Sequence, residues 1–165
     1  MHQFRITKYD PDLRDEHGRF LQDDWISASD VGGMFLGKEL SLERYNAVEL
    51  AYTSTVLSFL EEAKIDFLQV SDIEYRMNSH DAPQKGSRLR RENIPAVVGA
   101  MLREEFWCRL ESTQAFVHVG YDYYMYIGVT YECPNSINFA RQHGLFVENF
   151  ISPHHPDTED QPHRK

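Results

Sequence analysis

Four tyrosines, one histidine and one aspartate lie close together in the stretch HVGYDYYMYIGV, residues 118–129. Tyrosines at this density are typical of a surface that recognises a ligand, or of strands whose aromatic side chains build a sheet. The segment 120–126 partly matches the RNA-recognition pattern K/R-G-F/Y-G/A-F-V-x-F/Y, since the glycine and three aromatic residues fall in place. Val119 replaces the basic first residue, however, and Asp122 would bring a negative charge towards the phosphates. An RNA-binding module is therefore kept only as an alternative.

With a period of two residues, as in a β-strand, this stretch divides into two faces. One face is mostly aliphatic and is predicted to pack into the core; its members are Val117, Val119, Tyr121, Tyr123, Met125, Ile127 and Val129. The other face is amphipathic and carries Phe116, His118, Asp122, Tyr124 and Tyr126. We expect the second face to be covered by a helix or offered to a partner. Asp122, Tyr124 and Tyr126 are accordingly predicted to bind a partner protein.

A second candidate surface lies at the end of the long charged connection 10–25. Asp23-Asp24-Trp25 places a large aromatic side chain beside two carboxylates, and Asp30 follows shortly after. An aromatic anchor with acidic neighbours would suit a basic protein surface, so these four residues are also predicted to bind the partner. The alternative for Trp25 is that its ring pins the connection to the core, and the sequence does not decide between the two.

Motifs of established catalytic and cofactor chemistry are missing from the sequence. It has no P-loop, no G-x-S-x-G and no H-E-x-x-H motif. Four acidic residues, Asp10, Asp12, Asp15 and Glu16, resemble part of an EF-hand loop, but Arg14 occupies the fifth position of that loop. We therefore predict no catalytic, cofactor-binding or metal-binding residue and no cofactor. A small enzyme with a pocket between sheet and helix is kept as an alternative, because many active sites lack linear motifs.

The two cysteines, Cys108 and Cys133, are too few for a disulfide framework, and neither belongs to a C-x-x-C pair. Cys108 and His118 are expected to face each other across a predicted hairpin. We interpret them as a structural pair, because no third residue that would orient the histidine can be named.

Charge and composition restrict the class of protein further. The 165 residues include 26 Asp and Glu against 17 Lys and Arg, which gives a formal net charge of −9. This excess argues against nucleic acid, whose binders normally present a basic face, and favours a basic partner. The N-terminus lacks the apolar segment of a secretory signal, and no apolar run is long enough to span a membrane. We therefore predict a cytoplasmic protein without membrane contact.

The elements that must position these residues are predicted from periodicity. The clearest helix is 42–63, with Ser41 as its N-cap and an apolar stripe at three- and four-residue spacing. Further helices are predicted over 93–105 and, briefly, 134–143. Strands are predicted over 3–9, 66–75, 106–112, 115–120, 123–131 and 145–150.

The order of these elements predicts an α+β fold. We expect a mostly antiparallel sheet of about five to six strands, with two main helices and one short helix packed on it. Residues 78–92 are rich in polar and turn-forming residues and are predicted to form a loop. Residues 1–153 are predicted to form a single domain, followed by a polar C-terminal tail, 154–165.

Several segments together resemble a known group of proteins. They are FRITKYDPDLRDEHGRF with DDWISASDVG, WCRLES with FVHVGYDYYMYIG, and LFVENFISP. They resemble a family of small, acidic, uncharacterised bacterial cytoplasmic proteins, similar to the immunity proteins of polymorphic toxin systems. The resemblance covers most of residues 3–153. It implies a bacterial single-domain protein and an immunity role, and it transfers no catalytic or binding residue.

Charge, surface chemistry and this resemblance favour a non-enzymatic protein-binding module. An immunity-type protein in a toxin–antitoxin pair would neutralise a basic toxin domain by occlusion. Its carboxylates would meet the cations with which the toxin binds its substrate, while tyrosine and tryptophan would supply buried contact area.

Overall fold

The computed structural model describes residues 1–75 and 82–154 of the chain. The described α-helices are α1 (Leu42–Glu62), α2 (Ile94–Leu102) and α3 (Pro134–Gln142). The described strands are β1 (His2–Thr7), β2 (Met34–Phe35), β3 (Lys38–Glu39), β4 (Phe67–Tyr75), β5 (Arg88–Arg90), β6 (Phe106–Glu111), β7 (Ala115–Val119), β8 (Met125–Val129) and β9 (Phe146–Asn149).

One antiparallel sheet contains seven of these strands, in the order β5-β4-β6-β7-β8-β1-β9, and β2 and β3 form a separate small hairpin. The predicted α+β fold, with helices packed on a mostly antiparallel sheet, is confirmed. The additional strand is β5, which pairs with β4 inside the segment predicted as a loop. Its sequence Arg-Leu-Arg is too short and too charged to show an alternating pattern. Part of that predicted loop, 76–81, lies outside the described residues.

One face of the sheet forms the core together with the helices. Helix α1 begins where predicted, because the Ser41 side chain accepts a hydrogen bond from the Arg44 N–H. The ring of Phe59 packs against that of Phe4 in β1, with centroids 5.4 Å apart. Buried side chains on the α1 stripe include Tyr45, Tyr52, Val56, Phe59 and Ala63.

The opposite face is polar and aromatic, and the chain that follows β9 covers part of it. The Phe150 N–H donates to the Gln3 carbonyl over 3.0 Å, and the Ser152 N–H donates to the Gln3 side chain over 2.9 Å. The expectation of a covering helix is therefore wrong at this place, because an extended segment of the chain takes that role. Beneath it, Tyr126 is 7% exposed and His118 is fully buried.

The expected contact between Cys108 and His118 is wrong. His118 is paired with Arg109 across β6 and β7, whereas Cys108 directly precedes Arg109 in β6 and points to the opposite face. The Cys108 thiol contacts the Met101 sulfur in α2 at 3.6 Å. Burial raises the pKa of Cys108 to about 12, so this thiol stays protonated.

The predicted tail boundary falls on a residue that packs on the sheet. The His154 ring lies about 6 Å from the rings of Trp107 and Tyr126, and the backbone N–H of His154 donates to the Ser152 hydroxyl over 3.2 Å. The remaining tail, 155–165, lies outside the described residues. Within residues 1–75 and 82–154, no helix is long and apolar enough to cross a membrane.

Candidate functional site

A cavity of about 310 Å³ lies at one end of the sheet, between the C-terminal end of α2 and the ends of β4, β6 and β7. We call it the end cavity. Its buried lining residues are Met101, Leu102, Phe106, Val119 and Tyr123. Its exposed and half-buried lining residues are Ile26, Glu74, Tyr75, Glu104, Trp107, Gly120, Tyr121, Asp122 and His154. The end cavity therefore has an apolar floor and a rim of carboxylates and aromatic rings.

The rim of the end cavity is negatively charged. Three exposed carboxylates lie on it, from Glu74, Glu104 and Asp122, and no lysine or arginine is among the described lining residues. Within the described part of the chain, neither Glu74 nor Asp122 forms an ion pair. Carboxylates on the rim of a cavity with an apolar floor attract a cation and repel an anion.

Aromatic side chains supply most of the exposed apolar surface of this rim. Tyr121 is 88% exposed and Tyr75 is 56% exposed. The half-buried Trp107 donates its indole N–H to the Val119 carbonyl across the β6–β7 hairpin, which fixes the position of its ring. Three exposed or half-buried aromatic rings therefore lie on the acidic rim of the cavity.

A tight turn between β7 and β8 presents Tyr121 and Asp122 at the rim. The Tyr124 N–H donates to the Tyr121 carbonyl over 3.0 Å, and both central residues of the turn have positive φ, 55° at Asp122 and 63° at Tyr123. This is the pattern of a type I′ turn, which normally carries Asn-Gly or Asp-Gly. A side chain in the left-handed region costs about 1–2 kcal/mol, so the Asp-Tyr pair must be held by other contacts.

Tyr123 supplies those contacts, because its side chain is buried in the core. Its ring packs edge-on against Trp25 at 4.8 Å, and its hydroxyl lies 3.2 Å from the Tyr45 hydroxyl and 3.3 Å from the Leu102 carbonyl. The Tyr52 hydroxyl donates to the Tyr123 carbonyl over 2.7 Å. With Tyr123 anchored in this way, the preceding Asp122 is held outward at the rim.

Glu104 also occupies a backbone position that favours glycine. It follows α2 with φ 60°, and the Glu105 N–H closes the helix end by donating to the Ala100 carbonyl over 3.0 Å. The equivalent residue after α3 is Gly144, at φ 79°, and after α1 it is Lys64, at φ 57°. Non-glycine residues with positive φ cluster at functional sites more than elsewhere, and Glu104, Asp122 and Tyr123 all line the end cavity.

A β-bulge in β4 precedes the two rim residues that this strand contributes. The pairing of β4 with β6 shifts between Ser71 and Glu74, and Asp72 has φ 45°. A bulge changes which side chains point to each face of a strand. Here it comes just before Glu74 and Tyr75, the end of β4 that lines the cavity.

Asp122 belongs both to the sequence prediction and to the described lining of the end cavity. The prediction of Trp25 as an exposed anchor is corrected, since its ring is 1% exposed and packs on Tyr45 and Tyr123. Trp25 therefore pins the connection to the core, which was the alternative. Its contact with the Lys8 ammonium, 4.0 Å from the ring centroid, belongs to the same buried cluster.

The acidic residues around Trp25 have structural roles. Asp24 forms an ion pair with Lys8 at 2.6 Å, and Asp30 accepts hydrogen bonds from the N–H groups of Ile26 and Ser27 in a capping box. Asp23 is exposed, and its predicted partner contact stays a prediction.

The two predicted tyrosines, Tyr124 and Tyr126, are not among the residues that line the end cavity. Tyr124 is half-buried, and the centroid of its ring lies 5.8 Å from that of Tyr9 and 5.7 and 5.8 Å from the guanidinium carbons of Arg5 and Arg14. Tyr126 is covered by Phe150, with ring centroids 6.0 Å apart. Tyr126 therefore has little surface for a partner.

Sequence reasoning did not identify Glu74, Tyr75, Glu104 and Trp107, and it assigned Tyr121 to the core. The error at Tyr121 arose because the two-residue period was continued through 120–124, which is a turn. Gly120, directly before the tyrosines, was the available signal for that turn. For the same reason, the partial RNA-recognition pattern does not lie on a continuous strand.

A second polar cluster lies on the covered face of the sheet. His118 lies 3.0 Å from the Ser152 hydroxyl through Nδ1 and 3.1 Å from the Glu111 carboxylate through Nε2. The arrangement resembles a serine–histidine–carboxylate triad, but His118 and Ser152 are fully buried, so no substrate reaches the hydroxyl. The cluster ties the segment after β9 to β6 and β7.

No group of three or more His, Cys, Asp or Glu side chains within residues 1–75 and 82–154 is arranged to hold a metal ion. No protein-family model matches this sequence, and no curated protein and no solved structure is detectably similar to it. The resemblance to immunity proteins stays a prediction. A function for this chain is therefore inferred from the geometry and charge of the end cavity.

Proposed function

We propose that this protein is a non-enzymatic binding module that holds a basic protein partner at the end cavity. The observation that carries this proposal is the rim itself, where exposed carboxylates and exposed aromatic rings surround an apolar floor. Aromatic anchors with complementary charge are the features that dominate the free energy and specificity of protein interfaces.

The charge of the whole chain supports a basic partner. The formal net charge is −9, and a field of that sign accelerates the approach of a positively charged surface. Several acidic residues are already engaged within the fold, such as Asp15 with Arg19 at 3.0 Å and Asp24 with Lys8 at 2.6 Å. Glu74 and Asp122 have no such ion pair among the described residues, so their carboxylates can interact with basic groups of a partner at the cavity.

Exposed apolar side chains around the cavity support protein binding. Tyr121, Tyr75 and Ile26 are 88%, 56% and 49% exposed. Exposed apolar side chains that lie together at one place, beside polar groups, are typical of interaction sites, whereas scattered ones are ordinary. A partner that covered these side chains would remove their apolar surface from water.

The biological form of this proposal is an immunity-type role, in which the partner is a toxin domain. The rim carboxylates would engage cations that the toxin uses to bind its own substrate, and the aromatic rings would exclude water around them. Occlusion of this kind needs no catalytic residue in the inhibitor. The support is the charge and shape of the end cavity together with the sequence resemblance.

A small enzyme is the second candidate, and one observation favours it. The end cavity lies between α2 and the sheet, and three carboxylates and His154 are among the residues that line it. Converging polar groups in a cavity with an apolar floor are also typical of active sites. An enzyme would turn over a small cationic substrate, whereas a binding module would retain a basic protein.

The test is affinity capture from the native host with the full-length chain as bait. The double variant Glu74→Lys with Asp122→Lys reverses the charge of the rim, and Glu61→Lys with Glu132→Lys is the matched control at two exposed glutamates outside the described lining. We expect a basic protein to be retained by the wild type and by the control variant and lost with the rim variant. Equal retention by all three proteins would remove the end cavity from the interface. Recovery of RNA, or turnover of a small molecule without a protein partner, would overturn the proposal.

A further inference from the structure

We propose that the end cavity receives the guanidinium group of one arginine side chain; this inference rests on the proposed function, because the arginine belongs to the basic partner. This inference specifies the chemical group of the partner that the cavity binds.

The size and lining of the end cavity suit one long side chain. Its volume of about 310 Å³ lies at the small end of ligand pockets, which span roughly 300–1,000 Å³. The buried Met101, Leu102 and Phe106 form an apolar floor for an aliphatic stem. A side chain that entered from the surface would pass the exposed rings of Tyr75 and Tyr121.

The charge at the tip of that side chain must be positive. Glu74 and Asp122 lie on the rim, and no lysine or arginine of the described lining neutralises them. The rings of Tyr75, Trp107 and Tyr121 line the same cavity, and an aromatic ring attracts a cation that is placed over its face. An anion would be repelled by both groups of residues.

A guanidinium fits this lining better than an ammonium. It is planar, stacks on aromatic rings, is less strongly hydrated, and can bind a carboxylate through two N–H groups. Among the described residues, guanidinium groups already lie over aromatic rings: the Arg88 guanidinium lies 3.4 Å from the centroid of the Phe67 ring, and that of Arg5 lies 4.1 Å from the centroid of Phe150.

Lys8 shows what burial beside a carboxylate and an aromatic ring does to an ammonium elsewhere in the fold. It lies over the Trp25 ring at 4.0 Å and pairs with Asp24 at 2.6 Å. Even so, burial lowers the pKa of Lys8 to about 8, because desolvation outweighs the attraction of Asp24. A guanidinium keeps its charge under these conditions, so arginine loses less than lysine when it enters an aromatic cavity.

The test uses N-acetyl-arginine amide as the probe and the full-length, ¹⁵N-labelled chain. We expect saturable NMR shifts at the amides of Gly120–Asp122 and at the Trp107 indole N–H. N-acetyl-lysine amide, which carries the same net charge, should bind about fivefold or more weakly because its ammonium stacks poorly. Glu74→Gln with Asp122→Asn should weaken the arginine probe about tenfold or more, and the control variant Glu61→Gln with Glu132→Gln, at two exposed glutamates outside the described lining, should leave its affinity unchanged.

Equal affinity for the two probes, unsaturable shifts, or shifts that survive the double substitution would each overturn the inference. Its failure is distinguishable from failure of the proposed function. If a basic partner still requires Glu74 and Asp122 while the arginine probe does not bind, the protein-binding role stands and the arginine assignment falls. If the probe binds as expected and no basic partner is captured, the cavity is a guanidinium site and the protein-binding role falls.

Discussion

Individual residues at the end cavity occupy backbone positions that are unfavourable for their side chains. Asp122 has φ 55° in the turn before β8, where glycine would be less strained. Lys64 has φ 57° at the end of α1 and does not line the end cavity. A comparison of these two residues therefore distinguishes the effect of a left-handed backbone from the effect of a carboxylate on the rim.

Replacement of each residue by glycine should therefore have different consequences. We expect Asp122→Gly and Lys64→Gly each to raise the free energy of unfolding by up to about 1 kcal/mol, because both relieve a left-handed backbone. Only Asp122→Gly should weaken the binding of a basic partner. Urea denaturation and a binding titration of both variants measure the two effects. Loss of stability in Asp122→Gly would show that its side chain holds the turn, contrary to its assignment to the rim.

Glu111 provides a prediction on pH. Its carboxylate accepts a hydrogen bond from the Ser71 hydroxyl over 2.6 Å and lies 3.1 Å from Nε2 of His118. These contacts lower the pKa of Glu111 from 4.5 to about 2, with the hydrogen bond to His118 as the largest cause and burial as an opposing one. The ionised carboxylate is therefore favoured by the folded state. This stabilisation is complete above about pH 4.5 and is lost as the pH falls towards 2.

Glu111→Gln should remove that pH dependence. Because the Glu111 side chain is 32% exposed, we expect a loss on the order of 1–2 kcal/mol at pH 7 and little further loss between pH 4.5 and 2. Glu61→Gln, at an exposed position near the end of α1, is the control. Denaturation at a series of pH values gives the comparison. An unchanged pH profile in Glu111→Gln would show that this carboxylate does not link protonation to folding.

At the level of secondary-structure elements, the sequence predicted the helices and strands whose apolar residues recur at a regular period. It missed the features that interrupt such a period. Helix α1 was predicted as 42–63 and is Leu42–Glu62, because its cap and apolar stripe are encoded locally. Strand β5 and the bulge in β4 were not predicted, and the assignment of faces over 117–129 ran through the turn 120–124, although the predicted strands ended at 120 and resumed at 123. Each depends on a neighbouring strand or on a single backbone angle, which periodicity does not record. The rim of the end cavity is built largely from such places, so most of its residues could not be found from the sequence.

The packing of β7 against β8 provides a prediction at this scale. Gly128 lies opposite Phe116, and a Cβ placed on Gly128 would come within 2.1–2.6 Å of the Phe116 ring. The ring covers the glycine and stacks on His118 at 4.3 Å, so it has little freedom to move. We expect Gly128→Ala to lower the free energy of unfolding by about 1–3 kcal/mol.

A double-mutant cycle identifies the cause of that loss. If the clash with Phe116 is responsible, Phe116→Leu together with Gly128→Ala should cost less than the sum of the two single variants. Additive costs, measured by urea denaturation, would place the loss of stability elsewhere in the strand.

At the scale of the whole molecule, the acidic charge is unevenly available to a partner. Asp24 forms an ion pair with Lys8 in which both side chains are largely shielded from solvent. Charge reversal at Asp24 would break this ion pair and destabilise the fold. Asp23, Glu74 and Asp122 are exposed, and their charge can be changed with little effect on stability. Among these, Glu74 and Asp122 line the end cavity. Substitutions at these residues therefore compare a change of net charge alone with the same change of charge at the end cavity.

The association kinetics of the captured partner should follow that distinction. Glu74→Lys and Asp122→Lys should each slow association several-fold at low salt, and high salt should reduce the difference from the wild type, because screening shortens the range of the field. Asp23→Lys changes the net charge equally but lies outside the described lining, so its effect should be smaller. Tyr121→Ala should mainly raise the dissociation rate, since it removes contact area that is 88% exposed in the free protein. Surface plasmon resonance at two salt concentrations separates these rates. Equal slowing by Asp23→Lys and Asp122→Lys would mean that the partner responds to the net charge or also contacts Asp23, and the end cavity would lose its distinct role in recognition.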